Sequence, residues 1–418
     1  MDGVRTNVER VWKYPRGGGG KISVMKTTKF KKLRILGVVL AASGTLGWGV
    51  RAAPPAKDKG LELVFVGTYT NKTESKGIYA FRFDERSGKI SGLAVAGESV
   101  DPSFVAVSGD GKFLYAVNEV GNYAGTKGGA VSAFAIERGS GKLTLLNQVA
   151  SGGADPCFVS FDKTGKYLFA ANYTGGSVAV FPIGPDGKLG AASTVEQHQG
   201  HSVDEKRQEG PHAHWIATSP DNRYALEVDL GLDEVLVDKF DAASGAITPN
   251  DPPFARVEPG AGPRHLAFSP NGQFVFVTNE IGSTVTVFSY DAATGTLEAK
   301  QAIGTLPADY NGPNDTAEIA VHPSGKFLYV SNRGRDSIAI FGVAPKTGVL
   351  TFVGDFLTRG KTPRNFAIDP SGHYLLAANE DTNDIEVFRI DGSTGELSFT
   401  GEKLEVPAPV DIVFAGLN

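Results

Sequence analysis

The sequence predicts an all-β fold, a seven-bladed β-propeller of four-stranded antiparallel blades whose ring is closed by the C-terminal strand. Two recurring turns and the mismatch of the two chain ends predict it. The first recurrence is a tight turn followed by an apolar strand that ends in a polar residue: "DGKFLYAVNE", "TGKYLFAANY", "DNRYALEVDL", "NGQFVFVTNE", "SGKFLYVSNR" and "SGHYLLAANE". The turn residues are Gly111, Gly165, Asn222, Gly272, Gly325 and Gly372. The polar ones are Asn118, Asn172, Asp229, Asn279, Asn332 and Asn379, at the same offset in every copy. "LVFVGTYT" (63–70) reads as a seventh copy lacking its turn. The second recurrence is a Ser/Thr/Asp-Gly hairpin at Gly88, Gly141, Gly187, Gly245, Gly295, Gly348 and Gly395. Its period of about 50 residues is that of a propeller blade.

Each period supplies four short strands, in the second copy "FVAVS", "FLYAVN", "AVSAFAI" and "LTLLNQV". Glycine and asparagine supply the positive φ that such turns require. Between the strands no stretch of about ten residues carries helical periodicity, which disfavours a parallel β/α fold. The copy at residue 63 has no first strand, whereas "PAPVDIVFAG" (407–416) is a first strand with nothing after it. The C-terminus therefore completes the first blade, and closure removes the free sheet edges that would template aggregation.

The N-terminal segment does not join this pattern. From Met25 a basic stretch (Lys26, Lys29, Lys31, Lys32, Arg34) precedes an apolar run from Ile35 to Val50 and then small residues. That is the layout of a secretory signal peptide with cleavage after Ala52. The run is short for a membrane span of roughly 20 residues, so cleavage is favoured over anchoring and no stable span is expected in the mature chain. Residues 1–24 read as an unstructured extension, 25–52 as the signal peptide, 53–60 as a linker and 61–418 as the propeller. A periplasmic or secreted location follows, with the cytoplasm as the alternative if the segment is not a functional signal.

The chain has 418 residues, 53 of them glycine, with 21% charged and 41% hydrophobic residues and a formal charge of −5. That is ordinary globular composition, and its mild acidity argues against nucleic-acid binding. A single cysteine, Cys157, leaves no internal disulfide and no multi-cysteine metal site.

In a propeller blade the start of strand one and the end of strand two lie on the same face, and both hairpin turns lie on the other. Alignment of the copies gives, at the start of strand one, Ser103, Cys157, His214, Arg264, Ala317, Arg364 and Val410. The next position holds Phe104, Phe158, Trp215, His265, Glu318, Asn365 and Asp411. After strand two stand Thr68, Glu119, Tyr173, Leu230, Glu280, Arg333 and Glu380. His214, Arg264, Glu280 and Arg333 thus converge on one sector of one channel mouth, where a strand-end charge taken singly is only a solvated loop residue. The recurrent asparagine is read as turn chemistry.

These residues and the segments "GPHAHW" (210–215), "GAGPRHLAFSPNGQFVFVTNE" (260–280), "HPSGKFLYVSNRGRDSIAIF" (322–341) and "TPRNFAIDPSG" (362–372) resemble the lactonase family of seven-bladed propellers over residues 61–416. That family includes bacterial 6-phosphogluconolactonase and fungal carboxy-muconate cycloisomerase. The resemblance implies that His214, Arg264, Glu280 and Arg333 are the active-site positions, with His212 next to them. It implies hydrolysis of a sugar lactone, 6-phospho-D-glucono-1,5-lactone or an unphosphorylated aldonolactone.

Residue chemistry allows such a reaction. His214 or Glu280 can take a proton from water, Arg264 can stabilise the oxyanion, and Arg333 with Arg364 can hold an anionic group. His212, Arg364, Asn365, Glu119 and Tyr173 are the expected substrate contacts. The same set can close a lactone instead of opening it, in a cycloisomerase, and a non-catalytic propeller binding an anionic ligand is the third reading. The pairs "HQGH" (His198, His201) and "HAH" (His212, His214) raise a metal site. His198 and His201, however, fall in a polar insert (196–210), and neither metal nor cofactor is expected. Nucleophilic catalysis by Ser103 or Cys157 is disfavoured because both lie on other blades.

Overall fold

A computed structural model describes residues 60–416; the calls on 1–24, 25–52 and nearly all of 53–60 lie outside the described residues. Among these, the strands form seven four-stranded antiparallel sheets. Blade 1 pairs β28 (Pro409–Phe414) with β1 (Leu61–Thr68), β2 (Gly77–Asp84) and β3 (Lys89–Glu98). The C-terminal strand therefore closes the ring, through Val64↔Phe414 to Gly67↔Asp411. Blade 2 holds β4 (Val105–Val107), β5 (Phe113–Asn118), β6 (Ala130–Glu137) and β7 (Lys142–Ala150). Blade 3 holds β8 (Pro156–Phe161), β9 (Tyr167–Asn172), β10 (Ser177–Pro182) and β11 (Thr194–Gln197). Blade 4 holds β12 (Ala213–Thr218), β13 (Tyr224–Asp229), β14 (Glu234–Asp241) and β15 (Ala246–Arg256). Blades 5, 6 and 7 begin at β16 (Pro263–Phe268), β20 (Asp315–Val321) and β24 (Pro363–Ile368). No helix among the described residues is long and apolar enough to cross a membrane.

The hairpin glycines do more than turn the chain. Each has φ between 69° and 80°, and each is also the floor on which the preceding blade packs. A Cβ on Gly187 would lie 2.3 Å from Phe113, on Gly245 2.3 Å from Tyr167, and on Gly295 2.6 Å from Tyr224. Gly348 meets Phe274, Gly395 meets Phe327, Gly141 meets Leu63, and Gly88 meets Tyr374 across the closure. The contact thus runs around all seven blades. In two blades a neighbouring tyrosine adds a bond, Tyr115 and Tyr329 each donating from OH to the glycine carbonyl at 2.8 Å.

Strand two of each blade is almost wholly buried, as in Tyr167–Asn172 and Tyr374–Asn379. Its terminal asparagine knits the blade. Asn172 donates to Ser151 O and Ser177 Oγ, Asn279 to Thr284 and Thr286, and Asn379 to Thr358 O and Asp384. The turn-chemistry reading is therefore incomplete: the amide ties strand two to strand three and, at Asn172 and Asn379, to the loop after the fourth strand of the preceding blade.

Candidate active site

Local backbone irregularities aim the site. The ladder between strands one and two slips between Pro156 and Phe158, between Ala213 and Trp215, between Pro263 and His265, and between Pro363 and Asn365. The skipped residues are Cys157, His214, Arg264 and Arg364. A bulge of this kind re-aims a side chain off the pleat, so both columns of the sequence alignment reach the channel. Each prediction at this slot traces to that device.

Arg264, Glu280 and Arg333 come together as expected. Glu280 Oε2 lies 3.0 Å from Arg264 Nε and 2.8 Å from Arg333 Nη2. Arg333 also donates to Thr316 O at 2.9 Å. Arg264 and Glu280 are 3% and 5% exposed. Buried as they are, Arg264 Nε and Arg333 Nε have no aligned hydrogen-bond acceptor. Burial alone would raise the Glu280 carboxyl, but Arg333, Arg264 and Arg207 outweigh it and hold it down to about 2. Burial and the charges of Arg333 and Arg364 lower Arg264 to about 10.

Arg207 was not anticipated. It lies in the insert between β11 and β12, read from sequence only as a polar excursion, and its Nη2 donates to Glu280 Oε1. The insert is built for this. Gln208, fully buried, donates to Leu230 O and Asp233 Oδ1, and Ser202 donates to Asp233 Oδ2. The Asp204 carboxylate accepts from the Lys206 and Arg207 amides. An arginine beside two acid-capped turn residues was visible in "SVDEKRQEG", but nothing in the repeat gave its register.

His214 lies within the same cluster, its ring 5.1 Å from that of His265 and 5.6 Å from Tyr173, with Nδ1 3.6 Å from Cys157 Sγ. Burial first, then Arg264, His265 and Arg364, push its pKa well below the ordinary value, so it is a neutral imidazole at pH 7. His212 stands apart from the arginines, its Nε2 3.6 Å from Glu209 Oε1. It stacks on Tyr173 at 4.6 Å and 19°, and its Nδ1 faces Tyr173 O at 3.2 Å.

On the other side of the channel, Glu119 accepts from Tyr69 OH at 2.9 Å and from Ser103 Oγ. Burial raises its pKa against the pull of Arg364 and the two hydroxyls. Arg364 lies over the Tyr69 ring, 5.3 Å from its centroid. Glu119, Arg264 and Arg364 line one small cavity with Ser103, Phe104, Cys157, His265, Glu318, Asn365 and Val410. Buried Asn365 is engaged at both ends of its amide, donating to Glu318 Oε2 at 2.8 Å and accepting from Ile412 N at 3.1 Å. It therefore braces the channel wall more than it offers a free contact. The four histidines raised as metal ligands have separate partners. His198 bridges Glu227 and Asp229, and exposed His201 faces only Ser202 O.

Fold and site together define a seven-bladed propeller with an anion-receptive mouth of guanidinium groups beside buried Glu280 and half-buried Glu119. Residues 63–414 match the family described as Lactonase, 7-bladed beta-propeller, and the chain belongs to that family. The 6-phosphogluconolactonase of Bacillus subtilis is 36% identical over 303 residues, 72% of this chain and 83% of that protein. The 6-phosphogluconolactonase of Formosa agariphila is 35% identical over 315 residues, 73% of this chain and 85% of that protein. The solved periplasmic gluconolactonase of Pseudomonas aeruginosa is similar at TM-score 0.80 and 34% identity, covering 86% of this chain and 100% of that one.

Proposed function

We propose that this protein hydrolyses a sugar δ-lactone at the mouth of its channel, with Glu119 as general base and Arg264 as the oxyanion donor. One observation carries the reading: Arg264, whose buried Nε has no aligned acceptor, lines the same small cavity as Glu119, a carboxylate whose proton affinity is raised. Of the two bases weighed from sequence, Glu280 is held ionised by three guanidinium groups and has little affinity for a proton. His214 is neutral but weakly basic. Burial raises both Glu119 and Glu380 against the pull of Arg364, toward the operating pH of a base, and of the two Glu119 lines the cavity with Arg264.

In the reaction, water attacks the lactone carbonyl carbon as Glu119 takes its proton. The carbonyl oxygen becomes an oxyanion against Arg264, which is preorganised by Glu280 and poorly hydrated. The ring C–O bond then breaks, and the proton on Glu119 returns to the leaving alkoxide, giving the hydroxy acid. Arg333, Arg207 and Arg364 hold an anionic group of the substrate or the new carboxylate, and Tyr173 with His212 offers a flat surface for the sugar.

The signal-like segment 25–52 and the likeness to a periplasmic gluconolactonase support export. Export in turn favours an unphosphorylated aldonolactone over its 6-phosphate. The test is lactone opening by purified mature protein on glucono-1,5-lactone and its 6-phosphate, against the spontaneous rate. Acceleration of either that falls at least about a hundredfold in Arg264→Ala supports the assignment. No acceleration of any lactone makes the chain a non-catalytic anion binder, and an unchanged rate in Arg264→Ala removes the site. Fractionation of expressed cells decides export.

A further inference from the structure

We propose that the seam between blades 3 and 4 is a binding site for one hard divalent cation, calcium foremost, ligated by Glu196, Glu227 and Asp238. One carboxylate oxygen from each lies within 4.8 Å of the other two. Oxygens on one calcium ion are separated by up to about 5 Å, twice the usual bond length, so the three can share an ion with small side-chain adjustments. The second observation is independent of that spacing. Glu227 and Asp238 are 0% and 2% exposed, and Glu227 Oε1 and Asp238 Oδ1 are buried with no hydrogen-bond partner. Unpaired carboxylate oxygens in a dry seam are costly unless a cation or proton meets them.

The remaining groups do not balance the charge. His198 gives both ring nitrogens to carboxylates, Nε2 to Glu227 Oε2 at 2.7 Å and Nδ1 to Asp229 Oδ2 at 2.6 Å. Asp229 Oδ1 is taken by the amides of His212, Gly231 and Leu232. Four carboxyl groups therefore share one imidazolium, and burial with the charge of Glu227 pushes Asp238 up to about 8, so either a proton or a cation must relieve the seam. With both its nitrogens occupied, His198 is no ligand, and an all-oxygen set suits calcium or magnesium and not zinc. Glu196, half-buried on the outer strand, gives the ion a route in and leaves coordination positions for water. The site is outside the channel mouth, and its chemistry does not depend on the lactonase reading. It lies at the root of the insert that carries Arg207.

The test uses the purified protein, stripped with chelator and titrated with calcium chloride by calorimetry and by thermal unfolding. The expected result is one equivalent bound and a higher Tm with calcium. Glu196→Gln and Asp238→Asn, neither of which touches His198, should each weaken calcium at least tenfold. Because Glu196 sits at the seam's rim, its variant reports on binding even if the Asp238 variant misfolds. No calcium-dependent shift at millimolar concentration, an equal shift in both variants, or a stronger response to zinc overturns the proposal. The first of these results makes a proton, shared by Glu227 and Asp238, the group that relieves the seam.

Discussion

Glu280 and Glu119 occupy the same position of their blades, the first residue after strand two, and face one channel from opposite sides. Their backbones are equivalent and their chemistry is not. Glu280 is ringed by Arg264, Arg333 and Arg207, whereas Glu119 is held by two hydroxyls with Arg364 as its main charge partner. Burial raises both carboxyls, and only the number of guanidinium groups decides the outcome. Repetition of the blade therefore supplies places for ionisable groups, and the neighbours set what each place does. A carboxylate pinned by three cations orients donors; one that faces a single guanidinium group and two hydroxyls keeps its basicity.

Breaking that contrast at Glu280 should have the largest effect. Glu280→Gln leaves buried Arg264 and half-buried Arg333 uncompensated and should cost about 3 kcal/mol of stability, read as a fall in denaturation midpoint. A variant as stable as the parent would show that solvent or a bound anion already neutralises the cluster. At Glu119 the loss should fall on the reaction. Glu119→Gln should lower kcat about a hundredfold or more with the fold intact, and full activity in that variant would return the base to His214.

Acid separates the two carboxylates further. Glu280, depressed when folded, contributes stability that is complete above its unfolded pKa near 4.5 and is lost as pH falls toward about 2. Glu119, raised when folded, must be deprotonated to act. The rate should therefore fall on acidification at a pH above the ordinary glutamate range, before the stability does. Coincident loss of rate and structure would contradict separate roles. The smallest effect is expected at Arg207, whose side chain is 37% exposed. Arg207→Ala should raise KM no more than about fivefold, since solvent screens an exposed ion pair to about 1 kcal/mol or less, and should leave Tm almost unchanged.

The blades were legible because their signals are local. A positive-φ glycine, an apolar strand and a fixed offset recur in order, and the unmatched chain ends require closure. The sector of the site was legible for the same reason, since alignment of equivalent positions puts Arg264 and Glu280 on one blade and Arg333 on the next. The hairpin glycines were only half read: their φ is visible in the sequence, while the side chain of the preceding blade that rests on each, aromatic in all but Gly141, is not. Arg207 escaped because an insert has no equivalent in the other blades from which to take a register. His198 appeared in a metal-like pattern, but its burial between Glu227 and Asp229 depends on strands about 30 residues further along the chain.

By itself the sequence determined the number of blades, the closing strand and the face on which the copies diverge, because each follows from turn chemistry and periodicity along the chain. Only the tertiary structure decided which buried charges meet. It set three guanidinium groups around Glu280, gave Glu119 two hydroxyls and Arg364 alone, and brought Glu196, Glu227 and Asp238 into one seam. Proton affinity and ion pairing depend on distances of a few ångströms between residues far apart in sequence, and those distances exist only once the ring has closed.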